Sequence, residues 1–88
     1  MSWEVAIHPK IGKQLKRFPR KDVKRIEVAF RQFKINPFFG DIEKMEGEEN
    51  VWQRRVGSYR ISYELFAKRQ IVFVFRVERR TTTTYRKI

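Results

Sequence analysis

Val51-Trp52-Gln53-Arg54-Arg55-Val56-Gly57-Ser58-Tyr59-Arg60-Ile61-Ser62-Tyr63-Glu64-Leu65-Phe66 reads as two β-strands around a two-residue turn, and a third run, Ile71 to Val77, follows closely. With Gly57-Ser58 as the turn, Val56 opposes Tyr59 and Arg55 opposes Arg60. Closing the next hairpin over Ala67 to Arg69 sets Phe66 against Gln70 and Arg60 against Arg76. Arg55, Arg60 and Arg76 then form one row across three strands, on the face opposite Ile61, Leu65, Phe73 and Phe75. Like charges opposed on a sheet cost up to about 1 kcal/mol per pair, so such a row implies that something anionic belongs there. Arg80 keeps the parity of Arg76 and Glu78 and extends the cluster, and Thr81 to Thr84 form an extended spacer to Tyr85. Arg54 shares parity with Trp52 and Val56 and falls on the core side. It either snorkels at the margin of helix cover or is shifted by a bulge near Gly57.

Upstream, Trp3, Val5 and Ile7 alternate with polar or small residues as a first strand that stops at Pro9. Ile11, Leu15 and Phe18 recur at helical spacing up to Pro19, and Val23, Ile26, Phe30 and Phe33 do so up to Asn36-Pro37. Between Asn36 and Asn50 the pattern lapses into a loop. It holds Asp41, Glu43, Glu46, Glu48 and Glu49, half of all the acids. No His accompanies them and their spacing matches no calcium loop, so the loop is expected to offset nearby arginines or to repel misplaced anions, and not to bind a metal. The expected fold class is α+β: an N-terminal strand, two helices, then a three-stranded antiparallel block, forming a twisted sheet with the helices on one face. Residues 1–88 are expected to make a single domain, since a chain this short buries only about 60 to 65% of its unfolded surface. Its core is therefore thin and aromatic, drawing on eight Phe, three Tyr and two Trp.

The net charge of +11 is unevenly spread. Residues 1–50 carry 11 Lys and Arg against 8 acids, whereas residues 51–88 carry 10 against 2. A field concentrated in the sheet-forming half points first to nucleic acid, ahead of an anionic membrane, an acidic partner or a basic surface kept for solubility. There is no cysteine, which excludes disulfides and thiolate metal sites and fits a cytoplasmic setting. Neither a signal peptide nor a membrane span is expected.

The segment from Trp52 to Tyr63, the run Val72 to Arg80 and the terminal Tyr85 together resemble the RelE/ParE superfamily of toxins from toxin-antitoxin operons. The resemblance covers nearly the whole chain. It favours the RelE-like, YoeB-related branch, which cuts messenger RNA in the ribosomal A site, over the ParE-like branch, which poisons DNA gyrase. It implies catalytic roles for Arg55, Arg60, Arg80 and Tyr85, with Gln53, Arg54, Arg76 and Arg79 contributing RNA contacts. Gln53 departs from the lysine of RelE, and ParE-like chains generally lack the pair formed here by Arg80 and Tyr85. The implied function is that of a ribosome-dependent, metal-independent mRNA interferase. The implied partners are messenger RNA on the ribosome and a cognate antitoxin with an acidic segment; no cofactor is expected, and no oligomeric state follows. A gyrase inhibitor of the same fold and a non-catalytic RNA-binding relative are the alternatives.

The chemistry can be weighed without the family. Cleaving RNA without a metal requires the 2′-hydroxyl to lose a proton, the phosphorane charge to be stabilised and the 5′-oxygen to be protonated. Guanidinium groups match phosphate oxygens bidentately but do not serve readily as bases. His8, the only histidine, has no evident acid or base partner and reads as structural. Tyr85 is the remaining base, with Glu64 and Glu78 as alternatives that could equally neutralise neighbouring arginines. Bringing a phenol near neutrality costs roughly 3 to 4 kcal/mol. One cation about 6 Å away supplies on the order of 3 kcal/mol at an effective dielectric of about 20, so two arginines suffice.

Overall fold

The Gly57-Ser58 turn forms as its residues dictate: Gly57 takes a φ of +58° and Ser58 does not, which fits a hairpin turn with glycine at its first central position. The computed structural model describes residues 2–79; Arg80 and Tyr85 lie outside them. The elements run in the order β1 (Glu4–Ile7), α1 (Pro9–Leu15), α2 (Arg20–Ile35), β2 (Ile42–Lys44), β3 (Val51–Val56), β4 (Tyr59–Phe66) and β5 (Ile71–Arg79). The sheet order is β1-β5-β4-β3-β2, antiparallel except that β1 runs parallel to β5, with Val5 beside Val72. The expected α+β arrangement is present. One strand is added to it: Ile42–Lys44, within the presumed loop, pairs along the edge of β3. Its residues Ile-Glu-Lys carry no apolar alternation, and charges are how edge strands avoid pairing with other chains.

Helix α1 begins where Pro9 presets φ and His8 caps it, the His8 Nδ1 accepting from the Lys10 amide at 3.1 Å. This gives His8 the structural role expected of it. Ile11 of α1 and Ile26, Ala29, Phe30 and Phe33 of α2 pack on one face of the sheet. They meet Tyr59, Ile61, Tyr63 and Leu65 of β4 and Val72, Val74 and Val77 of β5.

Two expectations for β5 are corrected. The β4–β5 connection is a four-residue turn, Ala67 to Gln70, with Gln70 at φ +55°, so Phe66 pairs with Ile71 and not with Gln70. A bulge then places Tyr63 opposite Val74 but Ser62 opposite Arg76, leaving Phe75 as the extra residue. Arg60 consequently faces Glu78 and not Arg76. The valines 72, 74 and 77 turn to the helices, whereas Phe73 and Phe75, expected in the core, are half-buried and line the opposite face.

Candidate nucleic-acid interface

Every helix packs on the side of Ile61 and Tyr63, so among the described residues the opposite face of the sheet has no helical cover. Cross-strand pairing organises that face in rows. Arg55, Arg60 and Glu78 form one; Gln53, Ser62 and Arg76 form the next; Val51, Glu64 and Phe73 form a third. The expected three-arginine row is therefore two opposed arginines ending on a glutamate, with Arg76 one step along.

The Arg55–Arg60 juxtaposition is relieved from the loop side. The Arg55 Nε and Nη2 donate to the two Asp41 carboxylate oxygens at 3.2 and 3.3 Å, and the Arg55 amide donates to the Asp41 carbonyl at 2.9 Å. This is the acidic loop offsetting an arginine, as its composition implied. Both side chains are about half exposed, so the pair adds at most about 1 kcal/mol and can be exchanged for another anion. Arg60 makes no ion pair within 4 Å among the described residues, since Glu78 leans to Arg76 at 3.9 Å. It borders a groove whose far wall is Glu43, Lys44 and Met45. Gln53 reaches across the strands and donates to the Ser62 hydroxyl at 3.2 Å.

Arg54 and Arg79 belong elsewhere. Arg54 projects to the helix side, as its parity required: its Nη2 donates to the Gln32 side chain at 2.7 Å, its Nη1 approaches the Phe39 carbonyl at 3.4 Å, and its guanidinium lies 5.9 Å from the Phe39 ring centre. Burial lowers its pKa below the ordinary arginine value. The role this placement defines is to clamp the loop that carries Asp41. Gly40, at φ +95°, makes room for it, since a Cβ there would sit 2.7 Å from the guanidinium carbon. Gly40→Ala is therefore expected to cost more than about 1 kcal/mol, read as a lowered urea midpoint with unchanged slope. Arg79 stacks over the Tyr59 ring at 5.8 Å, again on the helix side. Neither residue adds to the face that holds Arg55, Arg60, Arg76 and Gln53.

The two described tyrosines of the sheet are unsuited to accept a proton. Burial pushes the Tyr63 phenol up to about 12, and its hydroxyl donates to the Pro37 carbonyl at 2.7 Å. Burial also raises Tyr59, whose hydroxyl donates to Asp22 at 2.7 Å. The acids of the loop do not converge: among the described residues no three His, Asp or Glu side chains could hold a metal ion. No described helix is long and apolar enough to cross a membrane. What sequence reasoning missed on the outer face is the pair Phe73 and Phe75, because the β4–β5 turn takes four residues, Ala67 to Gln70, where three were expected, and that one-residue change sets Glu64 opposite Phe73 and exchanges the faces of Val72, Phe73 and Val74.

No protein-family model matches the chain. The architecture defines a class: it is the fold of RelE-like toxins. The chain superposes on the archaeal RelE of a RelE-RelB complex from Pyrococcus horikoshii with a TM-score of 0.81 at 23% identity, covering 93% of this chain and 99% of that one. The RelB-RelE antitoxin-toxin complex from Methanococcus jannaschii gives a TM-score of 0.72 at 25% identity, over 94% and 98%. In sequence, the chain is 28% identical over 83 residues to a candidate toxin, RelE1, of Methanocaldococcus jannaschii, covering 91% of this chain and 92% of that one. Fold and sequence together support a place for it in the RelE-like toxin superfamily.

Proposed function

We propose that this chain is the toxin of a toxin-antitoxin pair and that it cleaves messenger RNA on the ribosome. The observation that carries this reading is the opposed pair Arg55 and Arg60 on an uncovered sheet face, flanked by Gln53 and Arg76. A phosphate between the two guanidinium groups would remove their mutual repulsion and replace Asp41 on Arg55. In the reaction the 2′-oxygen loses its proton and attacks phosphorus, the bond to the 5′-oxygen breaks and that oxygen takes up a proton from water, and negative charge builds on the phosphoryl oxygens in between. Guanidinium groups held by a sheet stabilise that charge without reorganising. The mechanism is proposed to be metal-independent, with the guanidinium groups supplying the positive charge at the phosphate. Arg80 and Tyr85 are proposed to complete the site, Tyr85 as proton acceptor. Contacts of this kind grip the backbone without reading sequence, so the ribosome would supply the substrate geometry.

The partner would be a small antitoxin with an acidic segment that covers the basic face, in keeping with the antitoxin complexes formed by the structural relatives. The test adds the purified chain to a cell-free translation extract and maps new 5′ ends. Cleavage confined to translated messenger is expected. Intact messenger together with lost gyrase supercoiling would overturn the reading in favour of the gyrase-directed branch. Tyr85→Phe is expected to abolish cleavage while sparing RNA affinity; an unchanged rate removes Tyr85 from the mechanism.

A further inference from the structure

The outer face holds a second feature, distinct in chemistry from the arginine pair. Phe73 and Phe75 lie 6.3 Å apart with their rings inclined by only 28°, and the His8 ring continues the series 6.3 Å beyond Phe73. Both phenylalanines are half-buried although the core is already filled by the valines 72, 74 and 77. They border a depression of about 470 Å³ whose polar wall is Gln53, Ser62, Glu64 and Arg76. That volume lies within the range of small-molecule sites, about 300 to 1,000 Å³.

Charge decides what would enter. Among the described residues, Glu48 and Glu64 border the depression against one cation, Arg76, which Glu78 already engages at 3.9 Å. In a protein of net charge +11 this is a locally neutral to acidic pocket, so it offers a phosphate little attraction. Its aromatic floor suits a flat, uncharged ring, and the Glu64 carboxylate accepts from ring N–H groups. It also lies one to two rows from Arg55 and Arg60, and adjacent sheet positions on one face are a nucleotide's breadth apart. The geometry points to a nucleobase subsite: Phe73 and Phe75 stack a base whose N–H edge meets Glu64, while the attached backbone lies on Arg55 and Arg60. This assignment rests on the RNA reading above. It adds to the phosphate grip a discrimination that arginines alone do not provide.

The test uses a fluorescent 2′-O-methyl hexanucleotide, which lacks the nucleophile and cannot be cut, and the same backbone with abasic positions. The wild-type chain is expected to bind the base-containing strand about 5- to 100-fold more tightly than the abasic one, from the stacking of a single base. Phe75→Leu and Phe73→Leu, which keep apolar volume, are expected to bring that ratio close to one with an unchanged salt dependence. Arg60→Gln weakens both ligands alike and makes the salt dependence shallower. Glu64→Gln, on the exposed side of the sheet, keeps the stacking preference and alters the rank order of the four bases. It also supplies an independent reading should a phenylalanine variant not fold. Equal wild-type binding to both strands, or leucine variants that retain the full preference, would overturn the subsite and leave the phosphate face standing. If wild type binds neither strand, the subsite falls, while the RNA reading is decided separately by cleavage of translated messenger in the extract.

Discussion

Replacing Arg60 with glutamine is expected to lower translation-dependent messenger cleavage about 100- to 1,000-fold, the range seen when one preorganised donor to a transition-state charge is removed. The chain should stay folded, because Arg60 makes no ion pair among the described residues and its side chain leaves the sheet on the face away from the core. A melting temperature within about 3 °C of wild type, together with the lost activity, is the signature to look for. Lysine should rescue poorly, since a point charge does not reproduce the bidentate guanidinium fork. Arg55 is expected to show a smaller loss, because Asp41 already draws on its guanidinium and phosphate must compete for it. An Arg60→Gln chain that cleaves at the wild-type rate would remove the outer face from the catalytic account.

The largest effect on stability is expected at Tyr63, which is fully buried, packs on Phe33 with ring centres 4.4 Å apart and holds the Pro37 carbonyl. Tyr63→Ala should cost roughly 3 to 5 kcal/mol, a large part of the stability of a domain this small. Tyr63→Phe retains the packing but leaves the carbonyl without its donor, and should cost about 1 to 3 kcal/mol. Alkaline titration gives an independent check. The Tyr63 phenol ionises near 10 when unfolded and near 12 when folded. Its contribution is intact below about pH 10; above that the unfolded chain releases the proton first. Stability therefore falls as pH rises towards 12, by on the order of 2 kcal/mol. Chemical denaturation between pH 9 and 12 should show the fall, reduced in Tyr63→Phe, with Tyr59 adding a loss of the same sign.

The two arginines of β3 show how far a sequence carries a site. Parity alone sends Arg54 to the helix side and Arg55 to the other, and the glycine turn pairs Arg55 with Arg60; both hold in the structure. These are local consequences of a two-residue period and a turn that admits one register. The pairing of Asp41 with Arg55 was foreshadowed only as a loop of acids near a cluster of bases. The particular contact depends on Arg54 clamping Phe39 from the opposite face of the same strand.

The amino-acid order by itself determined the number and sequence of the main elements, the β3–β4 register, the basic outer face and the resemblance to RelE-like toxins. Tertiary structure alone decided which face of β5 is which. Ile71-Val72-Phe73-Val74-Phe75 is apolar at every position, so its alternation carries no sign and either set could enter the core. The helices made the choice: valines 72, 74 and 77 join Ile11, Phe30 and Phe33 in the core, and a bulge at Phe75 keeps Val77 on that side. Small β-branched side chains fit under closely packed helices where larger rings would force them apart. The two displaced phenylalanines thereby became part of the surface that faces the proposed substrate.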